Sequence, residues 1–293
     1  MLSHFKDWAI PGPKPYRFGI DLNAVPTGES LDALSGHFKI YQRKNGHRYS
    51  TDDLLVAWYG TTWCGSAKRV LELGSGIGSV GMISAWRLQG AQFVAIEAQE
   101  ESVALQRKSL ELNGLNGRYD LRQGDFRDPS VLRFDEQFDL VLGSPPYFPL
   151  GTGGLAEDPQ KLGCRFEVRG DVRDYIRVAS QHLAPGGVCA LVFPMERASG
   201  KISNGDSRDK HQEARVLEGA RVNGMTVIRQ RPVRLKEDAE PLLSLYALMN
   251  SRDLPEKYRD QTWVEPDLII RCKDGSVHPE YATLKMAIGF PPF

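Results

Sequence analysis

The chain of 293 residues is 41% apolar and 25% charged, a composition that supports a buried core and excludes a disordered chain. Its 37 basic and 37 acidic residues give a formal net charge of zero, so a nucleic-acid site has to be a local basic patch. No apolar run approaches the roughly 18 residues of a membrane span and no signal-peptide core is present, so a cytoplasmic location is expected.

The cysteines and histidines indicate neither a disulfide framework nor a metal centre. The four cysteines are scattered, at Cys64, Cys164, Cys189 and Cys272, and no C-x-x-C pair occurs. The six histidines have no metal-like spacing relative to them. We therefore expect four free thiols and no bound metal.

The first 46 residues are predicted to form an extended N-terminal arm, because prolines at 11, 13 and 15 restrict the backbone there. A short strand is predicted inside it at 38–42. One folded domain is expected over 47–293, with a polar insertion at 200–211. Its first helix begins at the cluster of Ser50, Thr51 and Asp52, which precedes an apolar run.

From residue 69 onward, strand patterns and helix patterns alternate. A short apolar run predicts a strand at 69–73, and further strands are predicted at 92–97, 118–123, 138–143 and 188–193. Helices are predicted between them at 79–88, 101–112 and 171–183. Two more strands, at 226–230 and 243–249, are expected to finish the sheet in antiparallel fashion. This rhythm predicts an α/β fold with a mostly parallel, doubly wound, Rossmann-like sheet.

A glycine-rich turn lies between the strand at 69–73 and the helix that follows. It reads Glu72-x-Gly74-x-Gly76-x-Gly78. Glycines let the backbone turn tightly and approach a ligand without a Cβ clash. The spacing differs from the G-x-G-x-x-G of dinucleotide-binding enzymes, and an acid precedes the first glycine by two residues. The turn therefore indicates a nucleotide pocket of another kind.

Two further acids follow the next strands. Glu97 is placed to accept both hydroxyls of a ribose, and Asp125 to accept from an adenine amino group, with Phe126 against the ring. Each acid could merely end a strand or cap a helix. Three of them at one edge of a doubly wound sheet favour a ligand site. The pattern resembles the Rossmann-like methyltransferases, which implies S-adenosyl-L-methionine as cofactor.

The fourth strand ends in Ser144-Pro145-Pro146-Tyr147. The lone pair of an aromatic amine is delocalised into its ring, so the amine needs acceptors aimed at its hydrogens and a ring stacked on the base. Two prolines fix the backbone so that the Pro145 carbonyl keeps its direction. Tyr147, or alternatively Phe148, supplies the stacking face. These residues are the predicted catalytic turn.

This turn resembles amino-methyltransferases with Asn, Asp or Ser before Pro-Pro and an aromatic residue. With segments 46–52, 165–167 and 277–281, it is similar to bacterial methyltransferases that modify an adenine beside the anticodon of valine tRNA. The resemblance implies that Asp52 and Ser144 line the cofactor site, and that Arg165 and Glu167 lie on the acceptor side. Those enzymes usually carry Asn where this chain has Ser144.

The sequence therefore predicts an S-adenosylmethionine-dependent N-methyltransferase acting on an exocyclic adenine amine of RNA, with tRNA as the first choice. A protein-glutamine methyltransferase and a non-catalytic RNA-binding protein remain the alternatives. RNA contact is assigned to local basic clusters, although a solvated, charge-balanced face explains them equally well. The clusters comprise Arg229, Arg231, Arg234 and Lys236, and Arg165, Arg169, Arg173 and Arg177.

Overall fold

The computed structural model describes residues 13–14, 25–150, 158–195 and 212–292. It also describes the backbone of two short paired strands near the start, β1 (His4–Phe5) and β2 (Trp8–Ala9). The predicted insertion at 200–211 and most of the predicted extended stretch before residue 25 lie outside the described residues. The domain boundary at residue 47 stays a prediction.

The remaining strands and helices alternate through the chain. The strands are β3 (Glu29–Ala33), β4 (Lys39–Arg43), β5 (Arg69–Leu73), β6 (Gln92–Glu97), β7 (Tyr119–Gln123), β8 (Phe138–Gly143), β9 (Leu183–Pro194), β10 (Met225–Arg234), β11 (Leu243–Asn250), β12 (Trp263–Val264) and β13 (Leu268–Ile269). The helices are α1 (Thr51–Trp63), α2 (Ser79–Arg87), α3 (Glu100–Leu112), α4 (Pro159–Arg165), α5 (Val172–His182), α6 (Gln212–Val222) and α7 (Pro279–Ala287).

The main sheet has the order β12-β10-β11-β9-β8-β5-β6-β7, and β13 also pairs with β10. Strands β5 to β9 are parallel, whereas β11 is antiparallel to both of its neighbours. The strand order reverses at β5, which lies between β6 and β8. A doubly wound sheet binds ligands at the carboxyl ends of the strands beside such a switch point. The predicted mostly parallel sheet with an antiparallel finish is confirmed.

Helices cover both faces of the sheet, which is why the central strands are nearly continuous apolar runs. In β8, Leu140 and Leu142 pack with one apolar cluster and Val141 with the other. The first cluster includes α1, α2 and α3, and the second includes α5 and α6. No described helix is long and apolar enough to cross a membrane.

The N-terminal hairpin of β3 and β4 is held by side chains of α3 and the residue after it. Asn113 accepts from the Lys39 N–H at 2.9 Å and donates to the Lys39 carbonyl at 2.7 Å. The Ser109 hydroxyl accepts from the Tyr41 N–H at 2.9 Å. The predicted strand at 38–42 is confirmed as β4, one residue later, while β3 has no predicted counterpart.

Some boundaries differ from those predicted. The helix predicted at 171–183 ends at His182, and β9 begins at once with Leu183 rather than at 188. Pairing of Phe138 with Leu183 draws the Pro-Gly-Gly stretch into the strand. The sequence also did not predict α4, α6, α7, β12 or β13.

Candidate active site

A cavity of about 450 Å³ opens at the carboxyl ends of β5, β6, β7 and β8, a volume within the roughly 300–1,000 Å³ range of small-molecule sites. The start of α1, the end of α4 and one residue of α5 complete its wall. Most predicted site residues line it, namely Asp52, Glu72, Gly74, Gly76, Glu97, Asp125, Phe126, Ser144, Pro145, Pro146, Tyr147, Phe148 and Arg165. Gly78 and Glu167 do not.

The glycine turn needs glycine at its first position for conformation and space. Gly74 has φ +60°, and a Cβ there would lie 2.2 Å from the hydroxyl of the buried Tyr175. Gly76 has φ +56°, and a Cβ there would meet no atom within 4 Å, although the residue lines the cavity. The turn therefore leaves open space where a ligand can approach the backbone.

The floor of the cavity is acidic. Glu72 accepts from the Gly81 N–H at 3.0 Å, but its other oxygen has no hydrogen-bond partner among the residues that the structure describes. Burial raises the pKa of Glu72 to about 8 and that of the neighbouring Asp53 to about 7. Each of these carboxyls also feels other carboxyls nearby. A cationic ligand would relieve this repulsion and burial cost.

Glu97 is buried at the end of β6 and held in one orientation. Its two oxygens accept from the N–H of Gly76 at 2.8 Å and from that of Gln99 at 2.7 Å. Burial raises the pKa of Glu97, and these bonds and Arg169 oppose the rise. Each carboxylate oxygen keeps a second lone pair, so the group can still accept from ligand hydroxyls. The ribose role stays a prediction.

Asp125 and Phe126 lie at the end of β7. Both carboxylate oxygens of Asp125 accept from Arg127 Nε, at 2.9 and 3.1 Å, and this bonding lowers the pKa of Asp125. Phe126 is buried and meets the Tyr175 ring edge-on at 4.7 Å. An adenine amino group at Asp125 would therefore share the carboxylate with Arg127.

The acceptor turn after β8 is tied to the start of α1. The Tyr147 hydroxyl donates to Asp52 at 2.8 Å, and its ring stands edge-on to Phe193 at 5.9 Å. Burial, more than the Asp52 charge, raises the pKa of Tyr147 well above its usual value, and hydrogen bonding from Ser144 opposes the rise. Burial also raises the pKa of Asp52. The structure thus brings Asp52 to the predicted acceptor tyrosine.

The backbone of the turn is held by hydrogen bonds to the end of α4. The N–H groups of Tyr147 and Phe148 donate to the Arg165 carbonyl at 3.1 and 3.0 Å, and the Arg165 guanidinium lies 5.4 Å from the Phe148 ring centroid. Within the described part of the chain, no donor contacts the Pro145 carbonyl. Pro145 itself lines the cavity.

Glu167 is directed to a buried arginine and not to the cavity. Its carboxylate accepts from Arg215 Nη2 at 2.6 Å, and Arg215 also donates to Asp171 at 3.1 Å. Burial raises the pKa of Glu167, and Arg215 opposes the rise. Its acceptor-side role stays a prediction. Because the carboxylate is paired with Arg215, any such role would be indirect.

Several lining residues escaped the sequence reasoning. Only Asp53 had a usable signal, since Ser50 and Asp53 form a capping box at the start of α1. The others come from loops and helices whose approach depends on tertiary packing, and they include Gln99, Cys164 and Tyr175. Arg169 also lines the cavity, as a member of the predicted basic cluster.

Comparison with known proteins finds that the chain is similar to methyltransferases. The model of the methyltransferase small domain matches residues 52–156. A tRNA1(Val) (adenine(37)-N6)-methyltransferase of Porphyromonas gingivalis is 26% identical over 251 residues, which cover 84% of this chain and 90% of the relative. A release factor glutamine methyltransferase of Gloeobacter violaceus is 32% identical over 130 residues, 42% of this chain and 44% of the relative.

The fold also has a solved counterpart. The crystal structure of a predicted O-methyltransferase from Agrobacterium tumefaciens aligns with a TM-score of 0.56 and 19% identity, over 82% of this chain and 98% of that one. This likeness concerns the fold alone. Together with the family model, it confirms the Rossmann-like methyltransferase fold, and the resemblance to the adenine-N6 methyltransferases of valine tRNA is confirmed as well.

Proposed function

We propose that this chain is an S-adenosylmethionine-dependent methyltransferase and that it methylates the exocyclic amine of an adenine in RNA, with tRNA as the substrate. The observation that carries the proposal is the Ser-Pro-Pro-Tyr turn at the end of β8. Its four residues line the same cavity as the carboxylates that end the neighbouring strands, and the Tyr147 hydroxyl is fixed by its bond to Asp52.

The cavity residues fit the cofactor. In the proposed arrangement Glu97 accepts from the ribose hydroxyls, and the turn at Gly74 and Gly76 lets the ligand approach the backbone closely. Phe126 contacts the adenine ring, while Asp125 stays shared with Arg127. The unpartnered oxygen of Glu72 and the buried Asp53 suit a cation. When bound, S-adenosylmethionine supplies an activated methyl group on a positively charged sulfur.

The acceptor turn supplies what an aromatic amine lacks. Ser144 and the Pro145 carbonyl accept the two amine hydrogens, which localises the nitrogen lone pair and aims it at the methyl group. Tyr147 or Phe148 provides the aromatic face for the base. The transfer is then dominated by positioning, because the amine nitrogen has to lie in line with the methyl group and the sulfur that carries it.

RNA is favoured over protein by the extent of the similarity. The tRNA-modifying relative aligns over 90% of its length, whereas the release-factor relative aligns over 44%. Arg165 and Arg169 line the cavity and are exposed, so they could contact phosphates there. Arg173 and Arg177 are paired with Asp171 and Asp174. A tRNA substrate implies the cytoplasm as compartment.

A direct transfer assay tests the function. The purified protein is incubated with methyl-labelled S-adenosylmethionine and either unmodified tRNA or release-factor protein. We expect label in N6-methyladenosine after nuclease digestion of the tRNA. Label in glutamine would replace the proposal by the protein-glutamine alternative, and cofactor binding without transfer to either substrate would indicate a non-catalytic protein.

Replacement of Ser144 tests the acceptor role. Ser144→Ala removes one acceptor and should cost about 1–3 kcal/mol in the transition state, roughly 5- to 150-fold in kcat/KM. Cofactor affinity should stay close to wild type in calorimetry. Ser144→Asn should preserve or raise the rate, since an amide oxygen reaches further. Full activity of Ser144→Ala would remove Ser144 from the chemistry.

A further inference from the structure

Three planar groups are stacked at the far end of α1 and the edge of the sheet. The Arg229 guanidinium carbon lies 3.6 Å from the ring centroid of Trp63, the last residue of α1, and 4.4 Å from that of Trp263. Arg229 and Trp263 are register partners on the parallel strands β10 and β12. Sheet pairing therefore fixes the stack, which we call the Trp63–Arg229–Trp263 sandwich.

The sandwich leaves aromatic surface open to solvent. Trp263 is 61% exposed and Trp63 is 37% exposed, although Arg229 covers one face of each ring. The neighbouring Val264 is also exposed. Exposed aromatic surface beside a charged group is typical of an interaction site. Trp263 is the most exposed member of the sandwich.

The guanidinium of Arg229 has hydrogen-bonding capacity to spare. Its nearest carboxylate is Glu265, at 3.9 Å, which is beyond hydrogen-bond distance. Glu265 instead accepts from the Tyr59 hydroxyl at 2.7 Å. The neighbouring Arg231 differs, since it donates to Glu280. Arg229 is thus within ion-pair distance of Glu265 but forms no hydrogen bond to it, and its side chain is 21% exposed, so the guanidinium retains N–H groups for an anionic partner.

We infer that the sandwich binds an unpaired nucleotide of the RNA substrate, an inference that rests on the proposed function. A base stacks on the outer face of Trp263, and its phosphate accepts from Arg229. Exposed aromatics interleaved with arginine are the means by which proteins hold single-stranded nucleic acid. Such a patch would bind RNA by base stacking and by hydrogen bonds from one arginine, and it does not require a large positive net charge.

The position of the sandwich selects a nucleotide other than the methylated one. Asp52, at the start of α1, touches the acceptor turn, and Trp63 ends the same helix. Asp52 and Trp63 are eleven residues apart, and at 1.5 Å rise per residue this separates them by about 17 Å along the helix. One rigid helix therefore spaces the chemical site from the sandwich, so only an RNA long enough to span that distance engages both.

Binding of unmodified tRNA, followed by fluorescence anisotropy, tests the inference. Arg229→Ala and Trp263→Ala should each weaken tRNA binding about tenfold, with unchanged S-adenosylmethionine affinity and unchanged kcat. Arg229→Ala should also make the slope of log K for tRNA binding against log salt concentration shallower by about 0.7, the value expected for one phosphate of a single strand. A short oligonucleotide carrying only the target adenine and its neighbours should be methylated equally by wild type and both variants.

The matched controls are Arg133→Ala and Phe134→Ala, which remove an exposed arginine and an exposed ring from the loop between β7 and β8. Equal tRNA affinity in the sandwich variants and these controls would overturn the inference. So would loss of self-association in Trp263→Ala, since a second copy would then cover the patch. If tRNA binding depends on the sandwich but no methyl group is transferred, the proposed function is wrong and the inference about the sandwich stands. If wild type binds no tRNA, both fail.

Discussion

Replacing Tyr147 by alanine is expected to reduce methyl transfer by up to about a hundredfold while leaving cofactor affinity close to wild type. The ring that stacks on the base contributes about 1–3 kcal/mol. The hydroxyl is also the donor to Asp52, and the buried acceptor left without its donor costs about 1–3 kcal/mol of folding stability, separately from the rate. Single-turnover rates on tRNA, with calorimetry of cofactor binding, measure the two effects separately.

Tyr147→Phe is the matched control, because it keeps the ring and removes only the bond to Asp52. It should lose less activity than Tyr147→Ala. Phe148→Ala tests the neighbouring ring, which packs on Phe166 and lies under Arg165. Unchanged turnover in Tyr147→Ala, together with a loss in Phe148→Ala, would transfer the stacking role to Phe148.

The central strands were predictable because each is a short, mainly apolar run closed by a turn residue. Strands β5, β6 and β8 begin and end where the sequence predicts them. The two-residue strands β12 and β13 had no such signal, since they exist through register with β10 rather than through local propensity. The early start of β9 is likewise a pairing effect.

The site was predictable where its residues end parallel strands, because those ends meet at one edge of the sheet. Glu72, Glu97, Asp125 and Ser144 reach the cavity in this way. The sequence could not supply contacts between distant segments. The bond from Tyr147 to Asp52 joins residues 95 positions apart, and Tyr175 approaches Gly74 only because α5 packs on the sheet.

Glu167 illustrates the limit of a resemblance. The family pattern assigns it to the acceptor side, yet its carboxylate is neutralised by Arg215 from α6, a helix that the sequence did not predict. The backbone of Glu167 nevertheless donates to the Phe148 carbonyl at 2.9 Å. We therefore propose that Glu167 affects the acceptor turn through its backbone and through Arg215.

Arg215→Met is expected to have the largest effect on stability of any single change proposed for this chain. The Arg215 side chain is only 8% exposed and donates to Gln212, Glu167 and Asp171. Removing one partner of a buried ion pair costs about 3–5 kcal/mol, because the remaining carboxylates stay buried without compensation. Urea denaturation at pH 7 gives the free energy of unfolding for both proteins.

The pH dependence and a double variant separate lost charge pairing from lost packing. Without Arg215, burial raises the pKa of Glu167 further above its unfolded value, so ionising Glu167 disfavours the folded state. The stability deficit should therefore be smaller near pH 4, where Glu167 is protonated, and grow as the pH rises to 7. Adding Glu167→Gln to Arg215→Met should recover part of the loss at pH 7.

A stability deficit that does not depend on pH and is unchanged in the double variant would mean that Arg215 stabilises the fold mainly through packing on Phe193. The ring centroid of Phe193 lies 5.7 Å from the guanidinium carbon of Arg215. Phe193 also packs on Tyr147, so either outcome tells how α6 supports the acceptor turn.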